Sequence, residues 1–238
     1  MQIDRFALLV LLGGQPLREY GFDGRTYVSG AAGRDYTLRV VSRSSRRVKA
    51  VLSVDGINVI EGKAATTTGS GYILAPYSSL DIPGWRLTDQ EVARFLFGTP
   101  ESSYAADKGK AENVGVIGAA FFDEAVVRPV PTVALAALRD GTPRGPAVAK
   151  GGAGPAFGAA GTLGGSLGTG FGAKTDHAVQ RVEFEGRSSP AAVIEIRYED
   201  AAILRAMGVD VADDAAAVHT PSAFPADGYC APPRGWRG

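Results

Sequence analysis

Two successive runs of alternating residues constrain the fold of this chain more than any other feature. In "DYTLRVV" the apolar Tyr36, Leu38 and Val40 alternate with Thr37 and Arg39; in "RRVKAVLSV" Val48, Ala50, Leu52 and Val54 fall on one face. A period of two places every second side chain on one side of an extended strand, whereas a helix would scatter the same residues around its axis. The second run ends at Asp55-Gly56, the dipeptide favoured in two-residue hairpin turns because both central residues need positive φ. Asn58 then begins a return strand toward Val59 and Ile60. A calcium loop would need oxygen ligands at alternate positions and a later bidentate Glu, a pattern that does not follow Asp55.

The flanking segments extend the same reading. Phe6–Leu12 is an unbroken apolar run that is too short to span a bilayer. Asp4 offsets Arg5 before it, and no small-residue cleavage pattern follows, so a buried strand is expected rather than a secretory signal peptide or a membrane span. Short β-type runs lie on either side of Phe22-Asp23-Gly24, and Tyr72–Leu74 precedes Pro76 and Pro83, which suit edges and turns. Thr88 and Glu91 have capping-box spacing, yet Ala93, Phe95 and Phe97 alternate, which predicts a strand preceded by one helical turn. A further buried strand is expected over 113–122. Strands at intervals of about 8–12 residues without intervening helices describe an all-β domain over 1–127, a β-sandwich or jelly roll. The 32 glycines and 14 prolines agree with many turns.

Composition then shifts. Residues 128–175 are rich in Gly, Pro and Ala and are expected to form an arm or linker, because such a stretch buries too little apolar surface to offset its ordering entropy. A small ββα element is expected over 176–210. Its hairpin would carry Val179, Val182 and Phe184 on one strand and Val193–Tyr198 on the other. A short helix would begin near Asp200, place Ile203, Leu204 and Met207 on one face and stop at Gly208. Residues 211–238 read as an extended tail.

The motifs give no case for catalysis. "GTGFGAKT", Gly168–Thr175, approaches a phosphate-binding loop, but Ala173 stands where a glycine must let backbone N–H groups close around a phosphate. Strand-like residues also follow it where a helix is required. His177 and His219 lie far apart with no ligand-spaced neighbour, and the single cysteine, Cys230, excludes an intramolecular disulfide and any Cys-based metal cluster. No nucleophile-elbow pattern occurs, and Asp81, Glu91 and Asp107 stand singly rather than paired for glycoside hydrolysis. No catalytic, cofactor-binding or metal-ligating residue is therefore assigned. With 25 Lys plus Arg against 25 Asp plus Glu, the chain lacks the long-range field of a nucleic-acid coat, and no nucleic-acid partner is expected.

The remaining signals are contact residues. Arg43, Arg46 and Arg47 crowd "SRSSRRVK", either as a solvated hairpin loop or as an arginine patch for an acidic partner subunit. Trp85-Arg86 and Trp236-Arg237 each follow a glycine, and Trp and Arg dominate interface hot spots, so these residues are candidate inter-subunit anchors. Trp85 has a second reading, as a cap on the end of the core.

The motifs "VLSVDGINVIEGKAA", "GYILAPYSSLDIPGWR", "VARFLFG" and "NVGVIGAAFF" resemble an uncharacterised family of β-rich proteins encoded in bacterial and bacteriophage genomes; similar text reappears around "LGTGFGAK" and "VIEIRYEDAAILRAMGV". The resemblance carries no enzyme activity and no catalytic residues. Together with the balanced charge and the Gly/Pro-rich segments, it leads to the expectation of a non-catalytic structural subunit of a particle. That would be a capsid decoration, minor capsid or head-tail component that binds neighbouring subunits through extended arms. Its place would be the virion, or the host cytoplasm during assembly. The alternative is a soluble carbohydrate- or peptide-binding jelly-roll module.

Overall fold

A computed structural model of the chain describes residues 1–125 and 166–212, which build two β-sheets. In chain order the strands are β1 (Gln2–Ile3), β2 (Phe6–Leu12), β3 (Gln15–Pro16), β4 (Glu19–Phe22), β5 (Arg25–Gly30), β6 (Asp35–Ser42), β7 (Val48–Val54) and β8 (Ile57–Asn58). They continue as β9 (Tyr72–Leu74), β10 (Ser79–Ile82), β11 (Gly84–Arg86), β12 (Glu91–Gly98), β13 (Val116–Asp123), β14 (Gly168–Asp176) and β15 (Ala192–Asp200). The helices are short: α1 (Tyr104–Asp107) and α2 (Ala201–Ala206).

The alternation that marks β6 and β7 in the sequence is what packs the two sheets together. Tyr36, Leu38 and Val40 of the first sheet and Val48, Ala50, Leu52 and Val54 of the second all point into one shared core with Phe95, Phe97, Ile117, Phe121, Ile194 and Ile196. Phe6 and Phe121 stack across the sheets with centroids 4.7 Å apart. This is the all-β, sandwich-like domain that the period-two pattern predicts. Asp55 and Gly56 take φ values of 52° and 74° between Val54 and its partner Ile57, so the expected hairpin turn forms; Asp23 and Gly24, at 48° and 69°, do the same between β4 and β5.

In the first sheet, β6 and β12 pair only at Tyr36↔Phe95 and Asp35↔Leu96. Beyond that point they diverge, and β10 pairs with β6 while β11 pairs with β12. The turn between β10 and β11 is Pro83, whose carbonyl accepts from the Phe95 N–H. Gly84 follows at the closest approach: a Cβ there would lie 1.9 Å from the Ala93 carbonyl oxygen.

The second sheet corrects the expected C-terminal hairpin. β15 lies at its centre, antiparallel to β13 and parallel to β5. It pairs with β13 along residues 192–197 and with β5 along 197–200, while residues 177–185, including Val179, Val182 and Phe184, form no strand and no hairpin with it. Residues 168–175, expected as the end of the linker, are also strand: β14 pairs along β12, with a bulge where Gly172 and Ala173 sit opposite Arg94. α2 starts as expected, with Asp200 Oδ1 accepting from the Ala202 N–H, and ends at Gly208 with φ 92°. Of the face expected for it, Leu204 is buried against Tyr20 and Tyr27, Met207 packs beside it, and Ile203 turns outward at 37 % exposure.

Candidate functional site

The loop from β6 to β7 carries the arginines singled out in the sequence. Ser42 and Ser44 fix its path: the Ser44 N–H donates to Ser42 Oγ, the Arg46 N–H donates to Ser44 Oγ, and the Ser44 carbonyl accepts from the Tyr77 N–H at 3.0 Å. Small hydroxyl residues make these bonds locally, which is why a Ser-rich stretch turns here instead of continuing the strand. The loop walls a depression of about 390 Å³ with Arg5, Tyr77, Asp123 and Arg187.

Its floor is an internal ion pair. Asp123, 8 % exposed at the end of β13, accepts from Arg5 at 2.6 Å and from the Ser44 hydroxyl at 3.3 Å, and Arg5 also reaches Asp4 at 2.7 Å. Arg47 pairs with Glu124 and lies over the Phe184 ring, so it is committed inside the chain. The side chains of Arg43, Arg46 and Arg187 are exposed and have no carboxylate partner among the described residues. Beside them Tyr77 is 71 % exposed and held at φ 52°. A left-handed conformation costs a non-glycine residue roughly 1–2 kcal/mol, so the surrounding structure and not the residue's own preference holds Tyr77 in place.

The anchor expectation for Trp85 is corrected. Trp85 is 2 % exposed, stacks on Phe171, meets Phe95 and Tyr104 edge-on, and donates its Nε1–H to the Gly170 carbonyl at 3.1 Å. Its ring is used up within the sandwich, and its core-capping reading is the one the structure supports. Arg86 is likewise engaged: it donates to the His177 carbonyl and Nδ1 and to the Tyr72 hydroxyl, and lies over the Tyr72 ring. His177 Nε2 faces the Asp81 carbonyl at 3.0 Å, so the neutral tautomer protonated on Nε2 satisfies both neighbours. Burial, then the Arg86 charge, hold that imidazole below its ordinary range. Trp236 and Arg237 lie outside the described residues.

Sequence reasoning missed a buried polar hub. Asp55 is fully buried, and beyond shaping its turn it gathers three distant segments. Its Oδ1 accepts from the Tyr198 hydroxyl at 2.6 Å and the Gly115 N–H at 3.0 Å, and its Oδ2 accepts from the Thr169 N–H at 2.8 Å. Thr169 Oγ1 lies 2.8 Å from both the Tyr198 and the Tyr36 hydroxyls. Burial pushes the Asp55 carboxyl up to about 6, against the pull of these donors, and raises both tyrosines well above their usual range. A carboxylate with every neighbour a donor and no solvent access holds segments together; it has no route to a substrate. The signal available in the sequence was Asp rather than Asn in the turn, too weak to reveal partners more than a hundred residues away.

A second cleft, of about 470 Å³, lies by Ile57 and Tyr104 and collects Lys63, Lys108 and Lys110 beside Glu61. Among the described residues no three His, Cys, Asp or Glu side chains converge where they could hold a metal ion, and no helix is long and apolar enough to cross a membrane. No protein-family model, curated protein or solved structure matches the chain.

Proposed function

We propose that this protein is a non-catalytic structural subunit that binds other protein subunits of a particle, of the bacteriophage virion kind implied by its resemblance. The observation that carries the reading is the arginine-lined depression, where Arg43, Arg46 and Arg187 meet no carboxylate among the described residues and Tyr77 stands out beside them. Arg and Tyr are enriched at protein interfaces because each offers apolar area together with directed hydrogen bonds. The polar groups that could have pointed to chemistry support the same reading, since Asp55 is sealed in the core and His177 is knitted between Arg86 and Asp81. A carbohydrate-binding module would present several aromatic platforms together. Among the described residues the exposed aromatics Tyr77 and Phe171 have separate surroundings, one beside the arginine loop and the other on Trp85 and Tyr104.

The test is the composition of particles. Gradient-purified particles from cells that make this protein are expected to contain the chain in fixed proportion to the other subunits. Particles free of it, with the chain recovered only as a free species in the lysate, would sink the proposal.

A further inference from the structure

We propose that the depression recognises one carboxylate side chain, a Glu or Asp on an acidic segment of a partner protein, an inference that rests on the proposed role in binding other subunits. Arg47 is matched by Glu124, and Arg5 by Asp123 with Asp4 as a second carboxylate, so Arg43, Arg46 and Arg187, against one surplus carboxylate, leave the surroundings of the depression net positive. Each guanidinium carries a fork of N–H donors and no acceptor, and its best complement is a planar carboxylate bound through both oxygens.

The site is set before any partner arrives. The Arg43 N–H donates to the Arg5 carbonyl at 2.9 Å, the Arg46 N–H to Ser44 Oγ, and the Tyr77 N–H to the Ser44 carbonyl, which ties the aromatic turn to the arginine loop. Little backbone freedom remains to be lost on binding. The exposed Tyr77 ring offers an apolar face to the methylene stem of an incoming acidic residue, next to guanidiniums that take its head group.

Two features choose this ligand over other anions. Asp123 puts a fixed carboxylate in the floor, which repels a phosphate dianion more than a monoanionic carboxylate held at the rim by the arginines. Nucleic acid calls for a basic stripe along successive phosphates, usually on a basic domain, whereas this is a single compact depression with one exposed aromatic on a chain of zero net charge.

The experiment titrates the full chain into a fluorescein-labelled hexaglutamate peptide at low salt and reads anisotropy, with thermal unfolding to confirm that each variant is folded. Saturable binding is expected, weakened at least about tenfold by Arg43→Ala with Arg46→Ala and by Arg187→Glu alone. Arg43→Lys with Arg46→Lys, which keeps the charge and loses the fork, is expected to weaken it by a smaller factor. Binding unchanged in both the double alanine variant and Arg187→Glu overturns the proposal. So does displacement of the peptide by an equal concentration of inorganic phosphate, or equally tight binding of an oligothymidylate of the same charge. Arginine-dependent peptide binding by a chain that is missing from purified particles would uphold the site and remove the particle role, so the two readings fail separately.

Discussion

The Tyr198 hydroxyl donates to Asp55 Oδ1 at 2.6 Å and so joins two buried residues 143 positions apart in the chain. The bond sets the direction of the whole buried chain: Tyr198 donates to Asp55, Thr169 donates to Tyr198, and Tyr36 donates to Thr169. Removing the two tyrosine hydroxyls therefore has unequal consequences. Tyr198→Phe strips a donor from a buried carboxylate and an acceptor from Thr169, and is expected to cost about 2–3 kcal/mol. Tyr36→Phe leaves Thr169 bonded to Tyr198 and is expected to cost about 1 kcal/mol. Urea denaturation of the two variants checks the order, and equal costs would refute the directional chain.

Asp55 also makes stability depend on pH. Its carboxyl titrates near 6 in the folded protein against 3.8 in an exposed chain, so between pH 4 and 6 the native state binds more protons than the unfolded state. Stability from this group is then full at low pH and falls as pH rises through that window, by an amount on the order of 3 kcal/mol. In Asp55→Asn the slope due to this group disappears. Stability curves of the two proteins from pH 4 to 7 are expected to converge or cross as pH rises, and parallel curves would count against the raised carboxyl.

Tyr77 separates stability from recognition. Its ring is 71 % exposed and its φ is 52°, so the fold gains little from the side chain and bears the cost of the left-handed backbone. Tyr77→Gly is expected to leave stability unchanged or raise it by up to about 1 kcal/mol while weakening binding of the acidic peptide. Thermal melts beside peptide anisotropy measure both, and a variant destabilised by more than 1 kcal/mol would contradict the account.

Gly84 is a steric requirement. A Cβ would stand 1.9 Å from the Ala93 oxygen and 2.5 Å from its carbon, both backbone atoms that cannot swing away. Gly84→Ala is expected to cost more than about 2 kcal/mol and to loosen β11 together with the Trp85 packing behind it. A blue-to-red shift in tryptophan emission, recorded with the denaturation midpoint, reports both effects.

Much of the framework was legible in the residues themselves. Alternation marked β6 and β7, apolar runs marked β2 and β13, Asp55-Gly56 marked a hairpin turn and Asp23-Gly24 a break between runs, because each is a local consequence of pleat geometry and backbone sterics. What escaped notice depends on distant partners. Gly168 and Gly172 looked like low-complexity linker, yet a Cβ at Gly168 would meet Ser103 at 2.7 Å and one at Gly172 would meet Asp35 at 3.0 Å, so these glycines serve close packing. Trp85 looked like a loop anchor because Pro83 and Gly84 precede it, when those residues let β10 cross from β6 to β11 beside β12. The hairpin expected with β15 assumed that neighbours in sequence pair, whereas β15 takes its partners from β13 and β5, far away in the chain. In the site, the arginine loop was legible as composition, whereas Tyr77, Asp123 and Arg187 reach it only through the fold.

The central position of β15 governs how the chain must come together in time. Until residues 192–200 arrive, β5 and β13 are separate open edges, and Asp55 lacks the donor from Tyr198. Closure of the second sheet therefore waits on contacts between residues far apart along the chain, the kind that slow folding most. During synthesis the first sheet can assemble ahead of the second, leaving a half-built sandwich whose exposed apolar edges are vulnerable to association until β15 inserts.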